Sequence, residues 1–159
     1  MGKVILIASG KGGTGKTMFV VNMGVTLSEK GNKVLILDMD MGLRNLDLYL
    51  GIENRVVYDV YDVMTGRCRI KQATMQDKRF KNLSIIASPP KKNEGEITPL
   101  HMKVMCDKLK KTYDYILIDG PSGIEDGLVI ASAGADEVLI VTSPEYAALR
   151  DAEAVDRYM

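Results

Sequence analysis

The segment Gly10-Lys-Gly-Gly-Thr-Gly-Lys-Thr17 follows an apolar run and precedes a helical pattern, and its residue types stand at the spacing that grips phosphate. Read as G-x-x-x-x-G-K-T it is a P-loop, in which glycines let successive backbone N–H groups wrap an anion and the helix N-terminus adds partial positive charge. Lys16 then supplies a point charge for the β- and γ-phosphates of ATP, and Thr17 a hydroxyl for Mg2+. Gly10, Gly12 and Gly15 also satisfy G-x-G-x-x-G, and Asp38 ends the second apolar run where a dinucleotide fold places its ribose-binding acid. Three features favour the P-loop. A dinucleotide turn has no use for Lys16 and Thr17. The run Tyr115-Ile-Leu-Ile-Asp119 ends in a carboxylate, the position of an acid that holds the water shell of a metal. Asp38-Met-Asp40 ends another run with two acids, one more than ribose recognition requires. A single acid at a strand end is as readily a turn former or a helix cap, but three beside a P-loop outweigh that reading. Adjacent parallel strand ends lie ~5 Å apart, close enough for Asp38, Asp40 and Asp119 to approach one Mg2+ and its waters.

These groups work only if strands and a helix deliver them to one edge. Apolar runs near Val4–Ser9, Val34–Asp38, Leu83–Ser88, Tyr115–Asp119 and Glu137–Thr142 alternate with amphipathic segments. This is the βαβ pattern of an α/β fold: three layers, a doubly wound and mostly parallel sheet with helices on both faces. A helix over Gly15–Lys30 places Phe19, Met23 and Leu27 at i, i+4 and i+8 as its core stripe, and Gly31 suits its C-terminal stop. Thr98-Pro99 opens a helix to about Thr112 with Met102, Met105 and Leu109 on one face. A last helix starts near Pro144. Pro89–Pro99, with paired prolines and charges, reads as an exposed loop.

The 159 residues, 46% hydrophobic, suit one domain over 1–159. Lys+Arg and Asp+Glu are both 21, so the overall field gives no argument for a nucleic-acid partner. Cys68 and Cys106 lack metal-site spacing and read as buried free thiols. No charged n-region precedes the first apolar run, Leu6 breaks a myristoylation motif, and no run approaches the ~20 residues that span a bilayer. A cytoplasmic location is expected. His101, Tyr58 and Tyr61 read as surface and packing residues.

Lys11 is a second lysine beside the phosphates, more charge than cradling needs. Lys11-Gly-Gly-Thr-Gly-Lys-Thr17 resembles the deviant Walker A motif of the ParA/MinD ATPases. The likeness extends through Asp38-Met-Asp-Met-Gly-Leu-Arg-Asn-Leu-Asp47, Glu53-Asn-Arg-Val-Val-Tyr-Asp-Val60, Gly66-Arg-Cys-Arg-Ile-Lys-Gln-Ala73, Asp77-Lys-Arg-Phe80, Asp119-Gly-Pro-Ser-Gly-Ile-Glu125, Thr142-Ser-Pro-Glu145 and Arg150-Asp151. The middle stretches resemble the septum-placing branch of that family. The resemblance implies an ATPase that dimerises with Mg-ATP and helps position the division septum through partners resembling MinC and MinE.

It also implies roles, residue by residue. Lys11 reaches the nucleotide of the partner subunit, where a finger of this kind adds about 10³ to 10⁵ in rate. Asp40 orients the attacking water, so the catalytic set is Lys11, Lys16 and Asp40. Asp119 is the Walker B acid, and Asp38 is a metal or structural acid, so the metal set is Thr17, Asp38 and Asp119. ATP or ADP lies on Gly10, Lys11, Gly12, Gly13, Thr14, Gly15, Lys16, Thr17 and Met18, and Gly42–Asp47 and Gly120–Glu125 rearrange when γ-phosphate leaves. Met18 departs from the family, which commonly has a threonine there touching the α-phosphate. Family members also continue beyond the position of Met159, through a strand with adenine contacts and an amphipathic C-terminal helix that binds the inner membrane peripherally. The chain therefore reads as the N-terminal part of a longer domain, with its sheet incomplete at the C-terminus.

Three other readings stay open. A relative that partitions plasmids or chromosomes, or that places flagella, shares these motifs. A nucleotide-holding module without hydrolysis fits the departure at Met18. An NAD-dependent enzyme rests on the overlapping glycine pattern alone. An iron–sulfur protein with the same P-loop type is disfavoured, because no cysteine follows Asp119 in its loop.

Overall fold

Strands covered on both faces carry unbroken apolar runs, and here those runs pair side by side. In the computed structural model, which describes residues 1–40, 46, 50–52, 55–89, 97–123 and 126–159, β1 (Lys3–Ser9), β2 (Val34–Asp38), β4 (Leu83–Ile86), β5 (Tyr115–Ser122) and β6 (Glu137–Ile140) run parallel. A two-residue strand, β3 (Met75–Gln76), joins antiparallel to β4, and the order across the sheet is β3-β4-β2-β5-β1-β6. The helices are α1 (Lys16–Glu29), α2 (Val60–Met64), α3 (Ile70–Ala73), α4 (Pro99–Leu109), α5 (Asp126–Ser132) and α6 (Tyr146–Tyr158).

The period-two geometry of a strand sends alternate side chains to opposite faces. Leu6, Leu35, Leu37, Ile116 and Ile118 form one core with Tyr61, Met102, Leu128 and Val155 of α2, α4, α5 and α6. Ile5, Ile7, Val34, Ile36 and Leu117 form the other with Val20 of α1. The three-layer architecture expected from the sequence is therefore present, and the central strands β1, β2 and β5 are buried almost throughout.

The packing of α1 differs from expectation. Its buried line is Lys16, Val20, Gly24 and Ser28, whereas Phe19 is 42% exposed and Met23 and Leu27 only flank the core. The cause is closeness: a Cβ on Gly24 would stand 2.8 Å from Ile36 Cδ1 and 3.3 Å from Leu83 Cδ1. The sheet supplies the apolar surface and the helix needs only small residues to meet it. By contrast, Met102, Met105 and Leu109 of α4 are buried as their spacing predicts.

Smaller corrections concern short elements and one thiol. α2, α3, α5 and β3 lie where no element was expected, β4 and β6 end two residues earlier than their apolar runs, β5 runs three residues past Asp119, and Cys68 is half-buried while Cys106 is fully buried. Tyr61 is buried, as a packing residue should be. Most of the Pro89–Pro99 loop and of the Gly42–Asp47 segment lies outside the described residues.

Candidate functional site: a phosphate cradle over two paired carboxylates

β1 ends at Ser9, and the chain turns through Gly10–Gly15 before α1 begins at Lys16. Gly13 and Gly15 have φ of 77° and 85°, a left-handed backbone that side-chain-bearing residues resist. Gly15 stands at the N-cap of α1, where no side chain caps the helix and no acid occupies the first turn. Its leading amides are therefore open to an anion. At the other end of the cradle Gly10 passes so close to α6 that a Cβ there would lie 2.4 Å from the carbonyl oxygen of Asp151.

Below the cradle, β2 and β5 are neighbours in register, with Asp38 opposite Asp119. Each is 1% exposed. Lys16, 5% exposed, donates from Nζ to Oδ1 of Asp119 in a buried ion pair. The Thr17 hydroxyl donates to the other oxygen, Oδ2, at 2.9 Å. Both Lys16 and Thr17 of α1 thus converge on the acid that closes the apolar part of β5. Asp38 Oδ1 accepts the Asp40 backbone N–H at 3.0 Å, and Asp38 Oδ2 accepts the Ser88 hydroxyl at 3.1 Å. Burial, followed by the charge of Asp119, pushes the Asp38 carboxyl up to about 7, against the pull of the hydrogen bonds from Asp40 and Ser88.

The remaining predicted residues fall around this centre. Lys11 is exposed, as are Gly12 and Met18, the last at 53%. Thr14 is partly buried, and its hydroxyl, like that of the buried Ser9, has no hydrogen-bond partner among the described residues. Asp40 is partly exposed at the rim. Thr17, Asp38 and Asp119, the expected metal set, therefore share one edge, while Lys11 is exposed in the loop before α1.

The set suits a hard divalent cation: one hydroxyl and two carboxylates, whose second negative charge is costly to form unless a cation joins it. Among the described residues no three His, Cys, Asp or Glu side chains cluster to hold a metal by themselves. Phosphate oxygens and water would have to complete the shell. Ser88 was not singled out in the sequence. Its signal was the one that marked the acids, a polar residue closing an apolar run in the same sheet. A cavity of about 400 Å3 bordered by Met1, Lys3, Lys110 and Tyr115 is lined by none of the cradle residues.

Comparison with known proteins is consistent with this geometry. A family model described as an AAA domain matches residues 2–158. The putative septum site-determining protein MinD of Nephroselmis olivacea is 49% identical over 154 residues, covering 96% of this chain and 56% of that protein. In the MinC:MinD cell division protein complex of Aquifex aeolicus, a chain 44% identical superposes with a TM-score of 0.87 over 96% of this chain and 61% of that one. The septum site-determining protein MinD of Pyrococcus horikoshii complexed with Mg-ADP is 35% identical with a TM-score of 0.86, covering 99% of this chain and 64% of that one. The chain thus spans little more than half the length of the curated relatives it matches.

Proposed function

Because this chain belongs to the MinD/ParA family of P-loop ATPases, we propose that its cradle binds ATP with Mg2+, hydrolyses it to ADP and phosphate, and couples the nucleotide state to dimerisation. The observation that carries this reading is the convergence of Lys16 and Thr17, at the uncapped start of α1, on Asp119. A buried ammonium needs an anionic partner. Asp119 fills that need here, and a phosphate group is a competitor of the same charge sign.

The residues divide the work as follows. Open amides of the cradle and Lys16 hold the β- and γ-phosphates. Thr17 and Asp119 would hold magnesium, with Asp38 beside them, and the ion would supply positive charge against that of the phosphates. Asp40 aims a water at the γ-phosphorus, a task of positioning rather than of strong basicity. Exposed Lys11 reaches the nucleotide of a second copy, which makes hydrolysis depend on the dimer. Exposed Met18 offers no hydroxyl to the α-phosphate, so affinity rests on the loop and Lys16.

The relatives support a role in placing the division septum, with a MinC-like partner on the precedent of the Aquifex aeolicus complex and a MinE-like partner from the family resemblance. The corresponding location is cytoplasmic with peripheral membrane association. No described helix is long and apolar enough to cross a membrane.

Fluorescent ATP and ADP titrations with magnesium, together with sedimentation, test the reading. Lys16→Ala should weaken nucleotide binding by about a hundredfold or more, the loss of a charge-assisted contact in a desolvated site. Asp40→Ala should keep binding and lose turnover. Unchanged affinity in Lys16→Ala, or an oligomeric state indifferent to ATP, overturns it.

A further inference from the structure

Ser88 lies two residues beyond β4, is fully buried, and donates its hydroxyl to Oδ2 of Asp38. Its backbone is pinned from the far side, because the neighbouring Ala87 carbonyl accepts the N–H of Val60 at the start of α2. The hydroxyl therefore reaches Asp38 from a fixed point. Held at Oδ2, the Asp38 side chain turns Oδ1 toward its own chain, where it accepts the N–H of Asp40. The Met39 N–H, donated to the Asp119 carbonyl at 2.9 Å, carries the sheet pairing one residue past β2, and the second bond then sets the direction of the backbone at Asp40. A side chain that bonds a backbone N–H two residues on imposes a local turn.

We infer that Ser88 is a positioning residue: through Asp38 it fixes the backbone at Asp40 and so holds the water-orienting carboxylate at its place on the rim of the cradle. The inference rests on the proposed function for the part played by Asp40, but the geometry it asserts exists without nucleotide. A hydroxyl is the smallest group able to do this from a site with no exposure. A carboxamide or a charged group there would need further partners that a packed interior does not supply. Alanine fills almost the same volume, so Ser88→Ala removes the bond with little change in packing.

Amide exchange followed by NMR on the full chain without nucleotide is the direct test. The Asp40 amide should exchange about tenfold faster in Ser88→Ala, while amides of β1, β4 and β5 keep their protection. In an Asp38→Ala background, Ser88→Ala should leave Asp40 exchange unchanged, since the relay is already cut. Ser88→Thr, which keeps the hydroxyl, should restore the slow exchange. With ATP and magnesium, Ser88→Ala should lower kcat by about tenfold with KM altered less than about twofold, the pattern of an interaction that matters in the transition state. Equal exchange at Asp40 in wild type and Ser88→Ala overturns the inference. So does a general rise in exchange across the sheet, which marks a purely structural role. Failure of the wild-type chain to bind nucleotide would instead strike the proposed function, leaving Asp40 exchange to decide on Ser88.

Discussion

α1 and α4 cover opposite faces of the same sheet, and they differ at both the helix start and the packed face. α4 begins with a closed cap: Pro99 stands in the first turn, the Thr98 hydroxyl accepts the His101 N–H at 3.4 Å, and Nδ1 of His101 accepts the Thr98 N–H at 3.0 Å. α1 begins with Gly15 in a left-handed conformation and no side-chain cap. One helix satisfies its first amides internally, and the other leaves them for a ligand. The packed faces diverge in the same sense. α4 fills its side with Met102, Met105, Cys106 and Leu109, flexible or bulky groups in the same core as Leu35 and Leu37 of β2 and Ile116 and Ile118 of β5. α1 meets the sheet through Val20, Gly24 and Ser28, close enough that its first residue, Lys16, reaches a carboxylate. A helix that must place a charge within bonding distance of a strand end is held close by small residues, whereas a helix that only covers a core is not.

The contrast is broken most severely at Gly24. Gly24→Val adds branched atoms against Ile36 and Leu83 and forces α1 outward, with an expected loss of about 3 kcal/mol or more in denaturant unfolding. Lifting α1 also separates Lys16 from Asp119, so residual nucleotide affinity should fall with stability. Wild-type stability in Gly24→Val would show that the close approach is not required.

Next in size is the charge that the α1 face carries and the α4 face lacks. Asp38 titrates near 7 when folded and near 4 when unfolded, so the unfolded state loses its proton first as pH rises. Stability of the magnesium-free protein should therefore fall between about pH 4 and 7, with the full cost present above about pH 7. Asp38→Asn removes that cost and keeps an oxygen for the Asp40 N–H, while the Ser88 hydroxyl can accept instead of donate. It should stabilise the protein near pH 8 and change little near pH 4, as read by melting curves at both. Equal effects at the two pH values contradict a desolvated Asp38.

On the α4 side the expectation is tolerance. Met105→Leu replaces one large apolar group by another and should cost about 1 kcal/mol, leaving nucleotide affinity unchanged. A loss comparable to that of Gly24→Val would erase the distinction between the faces.

This asymmetry also explains what was legible in the residues. The P-loop, Asp38 and Asp119 could be read because each closes or follows an unbroken apolar run, and the bounds of β2 were anticipated residue for residue. The face of α1 was misread because periodicity ranks Phe19, Met23 and Leu27 above Val20, Gly24 and Ser28. Contact with an already apolar sheet selects size rather than hydrophobicity. β3 has two residues and α3 four, too few to show any period. Ser88 carried no motif, and its role appears only once β4 lies beside β2.

The smallest expected effect lies in the cap itself. His101 looked like an ordinary surface residue, yet its ring accepts the Thr98 N–H, an amide with no helical partner of its own. The acceptor is Nδ1, so the ring proton resides on Nε2 in this arrangement. Because the site is partly solvated, water replaces the lost acceptor in His101→Ala, and the cost should be about 0.5 kcal/mol. Thr98→Ala removes the acceptor for the His101 N–H and should cost about 1 kcal/mol. Since the two groups form one reciprocal pair, the double variant should cost less than the sum of the singles. None of the three should alter nucleotide affinity, because α4 brings no residue to the cradle. A drop in affinity in Thr98→Ala would mean that the helix starts on the two faces are coupled, and that the closed cap of α4 serves the open one of α1.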